Sequence, residues 1–304
     1  YYPSLQETAL REHGRTLGEG RRGTKGSRRE GRRDTYVRDM ALRPLVTDGQ
    51  GRVALEAVRS LGVLGVRSRV AVAAPFDPRY ALAARSRWCA GVVRLPVPWD
   101  PERWHAALRA AAGPGDVVLP VATNATLAVI EARASLRAVL PPLPAAATFR
   151  RVNHTPTLLA LAGRLGVAIP RTWHVRSHKD LPRLLEDRPT WPLVVKLSDD
   201  EGLYLPPGQR YRIVPDAAAL EAAYRELFAR KAFPLVQAYA PGEGRAVSVL
   251  LDGTGEPVVR ISHRRVVEVP ATGGPSARCE TVRDPAMEEA ALAILRDVSW
   301  VGPA

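Results

Sequence analysis

From residue 45 onward, apolar and polar positions switch between two periods, and the switching lays out a fold. Leu45-Val46-Thr47 is a short apolar run, followed by Asp48-Gly49-Gln50-Gly51. Val53, Ala57, Val58, Leu61 and Leu64 then recur at three- and four-residue spacing, which predicts a strand, a loop and a helix ended by Gly65. Residues 70–73, 92–95 and 117–120 predict three further strands, and 101–112 and 125–139 predict helices. Strands and helices alternating at this interval predict a parallel sheet covered on both faces. Pro141-Pro142-Leu143-Pro144 marks a boundary.

The pattern then changes character. Leu158, Leu161, Ala162 and Leu165 predict a helix closed by Gly166. Leu193-Val194-Val195-Lys196-Leu197 predicts a strand apolar enough to be buried on both faces, and 211–214 another. Asp216 caps a helix running to about Ala232, with Leu220, Ala223, Tyr224 and Leu227 on one face. Residues 235–239 predict a strand. Residues 246–251 and 257–262, joined through Asp252-Gly253-Thr254-Gly255, predict a hairpin. Antiparallel strands with interleaved helices predict an α+β domain, and no internal repeat is present.

Composition adjusts this picture at the ends. The chain has 304 residues and a net charge of +13, but residues 1–39 carry ten Lys/Arg against six Asp/Glu without any helical or strand period. That segment reads as a disordered basic tail, or as sequence that is not translated, with the protein beginning near Met40. The remaining positive excess is almost entirely arginine, a coding bias rather than a nucleic-acid face. Trp300-Val301-Gly302-Pro303-Ala304 reads as a truncation. Two cysteines, Cys89 and Cys279, make no disulfide framework and favour a reducing compartment, hence the cytoplasm. No run reaches the ~20 apolar residues that span a membrane.

Three segments carry candidate chemistry. Lys196 lies inside an apolar strand, so its ammonium must either reach solvent or meet an anion. Gln237-Ala238-Tyr239-Ala240-Pro241-Gly242-Glu243 runs from a strand into a Pro-Gly turn. Such a hinge offers backbone groups to a purine edge and a carboxylate to ribose hydroxyls. His263-Arg264-Arg265 and Glu268 precede Gly273-Gly274-Pro275-Ser276; adjacent arginines on a strand face opposite ways, so one can face a cleft. An arginine there stabilises charge on a transferring phosphoryl group, and the paired glycines admit close backbone approach to an anion. No His/Cys cluster has metal spacing, and neither a nucleophile elbow nor a Walker loop occurs.

Taken in order, these segments resemble the ATP-grasp superfamily, in particular carboxylate–amine ligase-like members related to carbamoyl-phosphate synthase and biotin carboxylase modules. The resemblance covers residues 45–304. It implies a pre-ATP-grasp parallel α/β domain over 40–145, followed by an incomplete α+β ATP-grasp domain with a first lobe over 146–236 and a truncated second lobe over 237–304. It implies an ATP-dependent ligase that activates a small-molecule carboxylate as an acyl-phosphate for attack by an amine. It further implies phosphate contact by Lys196, an adenine hinge at Gln237, Ala238, Tyr239 and Ala240, and ribose contact by Glu243. Arg264 or Arg265 would act at the transferring phosphate, with His263, Glu268, Gly273, Gly274 and Ser276 around the substrate. The sequence departs from the family pattern in three places. His154-Thr155 replaces an Asp-Lys pair, the loop Ser198-Asp199-Asp200-Glu201-Gly202 is acidic where glycine-rich is usual, and the magnesium ligands fall beyond residue 304. The fragment is accordingly expected to be inactive alone. A nucleotide-binding protein without chemistry is the alternative.

Overall fold

A computed structural model describes residues 43–304 except Pro75, Trp99, Asp200, residues 204–208, Ala232, Pro270 and Thr272. The expected tail over 1–39, the acidic position Asp200 and the helix end at Ala232 lie outside the described residues.

The first layer alternates strand and helix: β1 (Arg43–Val46), α1 (Arg52–Val63), β2 (Ser68–Ala73), β3 (Cys89–Leu95), α2 (Pro101–Ala111), β4 (Asp116–Leu119) and α3 (Thr123–Ala132). The strands form a parallel sheet in the order β3-β2-β1-β4. Their side chains alternate between two apolar layers, as a sheet covered on both faces requires. Leu45, Ala71 and Val118 meet Trp104, Leu108 and Ala128 on one side. Val46, Val70 and Val72 meet Ala54 and Val58 on the other.

The structure departs from two local expectations. The buried positions of α1 are Ala54, Val58 and Gly62, whereas Val53 and Leu64 are 68% and 59% exposed. The stripe is rotated because the Trp88 ring seats against Gly62 and draws that face inward. The helix expected over 125–139 ends at Ala132. Residues beyond it extend beside β4, where Val139 N–H donates to Asp116 O (2.8 Å) and Val118 N–H donates to Val139 O (3.0 Å). Backbone groups that a helix would have satisfied are paired with the sheet instead.

Gly62 and Gly163 give opposite predictions for the same substitution. A Cβ at Gly62 would fall within the Trp88 ring, while one at Gly163 finds only Ile169 Cδ1 at 3.7 Å. Gly62→Ala is expected to destabilise by about 1–3 kcal/mol through overpacking. Gly163→Ala should stabilise by roughly 0.5–1 kcal/mol through helix propensity. Urea denaturation of the two variants beside the parent checks both signs.

The next segment holds α4 (Ala146–Asn153), α5 (Thr155–Arg164), β5 (Thr172–Trp173), α6 (Leu181–Glu186), β6 (Leu193–Lys196), β7 (Tyr211–Val214), α7 (Ala217–Arg230) and β8 (Leu235–Ala238). An antiparallel sheet runs in the order β5-β8-β6-β7. Asp216 Oδ1 accepts from Ala219 N–H at 2.8 Å and caps α7. Leu220, Tyr224 and Leu227 of α7 cover Leu193, Val195, Val214 and Val236. The Tyr224 hydroxyl donates to Val175 O at 2.7 Å, and burial pushes its pKa up to about 12, with Asp180 adding to the rise. β6 is not buried on both faces, as its composition suggested. Leu193 and Val195 are fully buried under α7, while Val194 and Lys196 are half-buried on the opposite face.

The last segment is a second antiparallel sheet, order β11-β10-β9-β12, from β9 (Arg245–Leu251), β10 (Pro257–Glu268), β11 (Ser276–Val282) and β12 (Gly302–Pro303), with α8 (Pro285–Asp297) packed on it. The expected hairpin is present, with Asp252 Oδ1 accepting from Thr254 and Glu256 N–H. β10 runs on to Glu268, so His263 through Glu268 belong to the strand rather than to a segment after it. Val249, Leu251, Leu292, Val298 and Trp300 join the core that contains Trp104, Phe149 and Leu161. Residues 247–300 thus complete the apolar layer begun by the first sheet.

Candidate functional site

The half-buried face of β6 opens onto a cavity of about 260 Å³ lined by Val194, Lys196, Leu197, Arg210, Tyr211, Ile213, Tyr239 and Gly273. Strand register assembles it. Val194 pairs with Ile213 and Lys196 with Tyr211 across β6 and β7, and directly opposed residues share a face. Tyr239 follows β8, and Gly273 lies in the loop between β10 and β11 with φ +126°, a conformation that favours glycine.

Lys196 is the distinctive group of this cavity. Among the described residues it has no hydrogen-bond or ion-pair partner, and burial alone pulls its pKa below the ordinary lysine value. An ammonium removed from water without a counter-charge is costly. A compact cation of this kind suits a phosphate oxygen.

Arg265 approaches the cavity through the loop. Its Nη1 donates to Gly274 O at 3.2 Å and pairs with Glu268 Oε1 at 3.4 Å. Its backbone N–H donates to Gly244 O at 2.7 Å, so Arg265 ties the hinge turn to the Gly273-Gly274 loop. A Cβ at Gly244 would meet Glu268 Oε1 and Arg265 Cδ, so both side chains would have to shift. Arg264 has different partners, Glu243 Oε1 at 3.1 Å and Glu280.

Several proposed contacts are already engaged within the chain. Gln237 lies opposite Val194, but its Nε2 donates to Thr172 Oγ1 at 2.7 Å. Ala238 N–H donates to Arg171 O. Glu243 is bound by Arg245 (3.1 Å) and Arg264, and the Arg245 hydrogen bond, foremost, holds its carboxyl below the usual carboxylate range. Arg245 also reaches Asp284 at 3.0 Å. Ser276 O accepts from Arg52 Nη1 at 3.3 Å. Ala240 is exposed and His263 is half-buried in β10. The structure therefore gathers Lys196, Tyr239 and Gly273 in one cavity, with Arg265, Glu268 and Gly274 behind its loop. The side chains of Gln237, Glu243 and Arg264 are paired within the chain.

Sequence reasoning missed Tyr211 and Ile213, because register across β6 and β7 is what places them. It also left the acidic loop uncompensated. Lys231 pairs with Asp199 and donates to Glu201 O at 3.0 Å. Arg150 Nε sits 3.1 Å from Glu201 Oε1 and its Nη2 lies 2.5 Å from Glu131 Oε1. The loop's described carboxylates are thus neutralised in place rather than aimed at the cavity.

A parallel α/β layer followed by two antiparallel sheets, with a cavity between the first of these and the β10–β11 loop, is the ATP-grasp fold. Solved structures of that kind match this chain. Biotin carboxylase from Campylobacter jejuni, in a complex with β-γ-ATP, superposes with a TM-score of 0.62 at 15% identity, over 88% of this chain and 61% of that one. N5-carboxyaminoimidazole synthetase from Staphylococcus aureus, complexed with ADP, gives 0.59 at 12% over 86% and 65%. The biotin carboxylase domain of the 2-oxoglutarate carboxylase from Hydrogenobacter thermophilus, with MgADP, ADP and bicarbonate, gives 0.61 at 13% over 86% and 59%. The chain spans about three-fifths of the length of these structures. No protein-family model matches the sequence, and no curated protein matches it.

Proposed function

We propose that the cavity over Lys196 binds ATP, and that the chain is the nucleotide-binding part of a ligase joining a small-molecule carboxylate to an amine. The observation that carries this reading is the ammonium of Lys196, without a partner among the described residues and half-buried opposite Tyr211 in a cavity that Gly273 also lines. At about 260 Å³ the cavity falls just below the usual small-molecule range, which starts at ~300 Å³, so it would take the base and sugar with the phosphates leading outward. Val194, Ile213 and Tyr239 supply apolar and aromatic surface for the base. Lys196 supplies charge for phosphate oxygens, and the Gly273 backbone borders the same space without a side chain.

ATP supplies a phosphoryl group. A carboxylate oxygen attacks the γ-phosphorus as the bond to ADP breaks, and the amine then attacks the acyl carbon with loss of phosphate and a proton. In this reading Lys196 holds negative charge throughout. Arg265 keeps the Gly273-Gly274 loop in place and, of the two adjacent arginines, is the one beside the cavity. Glu268 and Ser276 flank that loop as the substrate side, while His263 lies further along β10, opposite Ala246 and Thr281. Among the described residues no group of three or more His, Cys, Asp or Glu could hold a metal. Free Cys89 and Cys279 support a cytoplasmic setting. Among the described residues no helix is long and apolar enough to cross a membrane.

Nucleotide binding without chemistry is the second reading, favoured by Thr155 at the position of the family lysine. Calorimetric titration of the full chain with ADP tests the shared premise. Binding is expected, and Tyr239→Ala should weaken it about tenfold, the scale of one lost base–aromatic stack. No heat of binding, or equal affinity in the variant, would overturn the placement. ATP consumption that depends on an added carboxylate separates the ligase from the binding protein.

A further inference from the structure

A second cavity, of about 350 Å³, shares no lining residue with the first; it is bounded by Thr123, Leu127, Phe149, Arg150, Asn153, His154, Asp199 and Glu201. Leu127 and Phe149 form an apolar wall. Arg150 is the one arginine or lysine among its lining residues, and two carboxylates of the chain itself occupy its guanidinium. Glu201 sets both oxygens against Nε, at 3.1 and 3.2 Å, and Glu131 accepts from Nη2 at 2.5 Å. Glu201 lies in the loop after β6, 51 residues from Arg150 in sequence. The loop is held there by Lys231, which pairs with Asp199 and donates to Glu201 O (3.0 Å), and by Asn124, whose Oδ1 accepts from Gly202 N–H (2.9 Å) and whose Nδ2 donates to Leu203 O (3.2 Å). Partly exposed ion pairs such as Arg150–Glu201 contribute little net stability and open readily.

The geometry points to this cavity as a binding site for a carboxylate with a small apolar body, in which Glu201 acts as an internal stand-in that the ligand must displace from Arg150. The chemical class follows from the stand-in. A carboxylate on a short alkyl stem already accepts from the guanidinium at Nε, with Glu131 on Nη2, and a guanidinium is the cation whose planar donors suit a carboxylate. The apolar wall beside it would take the rest of the ligand. Displacing Glu201 also removes a contact between α4 and the loop that follows Lys196, so occupancy here loosens that loop. This inference does not rest on nucleotide binding in the first cavity, and its test requires no nucleotide.

Phenylacetate serves as the probe, with 2-phenylethanol as its uncharged counterpart, titrated calorimetrically into the full-length parent chain, Glu201→Gln and two Arg150 variants. Glu201→Gln is expected to bind phenylacetate about threefold tighter than the parent, since one exposed ion pair no longer competes. Arg150→Met should bind it about tenfold more weakly than the parent, because a charge-assisted hydrogen bond is lost. Arg150→Lys, which retains the charge, covers the case in which the methionine variant fails to fold and should fall between the parent and that loss. Affinity for 2-phenylethanol should be the same in all folded variants. Hydrogen exchange at Gly202 should accelerate when phenylacetate is added to the parent. Equal phenylacetate affinity in parent and Glu201→Gln, undiminished affinity in both arginine variants, or no binding by Glu201→Gln would each overturn the proposal.

Discussion

Replacing Lys196 with methionine is expected to weaken ADP binding ten- to hundredfold while making the free protein more stable at neutral pH. The two effects share one cause. The ammonium is half-buried without a partner among the described residues, so in the absence of ligand it costs stability that methionine would not. With a phosphate in the cavity the same charge forms a hydrogen bond to an anion, the class that contributes about 1.5–3 kcal/mol. The sign of the pH dependence follows. The folded-state pKa lies below the ordinary lysine value that the unfolded chain retains. The cost is therefore fully present below the folded pKa and is relieved as pH rises through it. The stability advantage of Lys196→Met should thus be largest near neutrality and shrink as the solution becomes alkaline. Thermal melts across that range, paired with calorimetric ADP titrations, check both halves. A methionine variant that binds ADP as tightly as the parent would remove Lys196 from the site.

Trp300→Ala is expected to cost about 3–5 kcal/mol, the range for truncating a large buried aromatic. Trp300 is 5% exposed and its ring stacks on Phe149 with centroids 5.9 Å apart. Its Nε1 donates to Pro303 O at 3.1 Å. It thereby closes the core shared by α2, α3, α4, α8 and β9. Urea denaturation followed by circular dichroism measures the loss. A change below about 1 kcal/mol, the ordinary effect of a substitution outside the core, would show that this end of the chain is not integral to the layer.

Much of the architecture was legible because local periodicity reports local burial. Alternation over 45–119 predicted four parallel strands, and the spacing of Leu220, Ala223, Tyr224 and Leu227 predicted the buried face of α7. The errors fell where a distant residue decides the outcome. The buried stripe of α1 depends on Trp88, 26 residues beyond Gly62. The segment after Ala132 extends because β4 offers it a free edge. Of the candidate site, Lys196 was legible as a polar intrusion in an apolar run, and Tyr239 and Gly273 as parts of a hinge and a glycine loop. The side-chain partners of Gln237 and Arg264 were not legible, since Thr172 and Glu280 become their neighbours only through sheet pairing, whereas Arg245 stands two residues from Glu243 and was within local reach.

What the chain's own pattern determined, then, is the succession of strands and helices and the one lysine that an apolar strand could not absorb without an anion or a path to water. Both follow from side-chain hydrophobicity and backbone period, which act over a few residues. Tertiary structure alone decided which charges are available. Arg150 and Lys231 are cations in composition, yet they face Glu201 and Asp199, while Lys196 faces no carboxylate among the described residues. Ion pairing depends on distances of a few ångströms between residues tens of positions apart, and no local sequence period encodes such a distance.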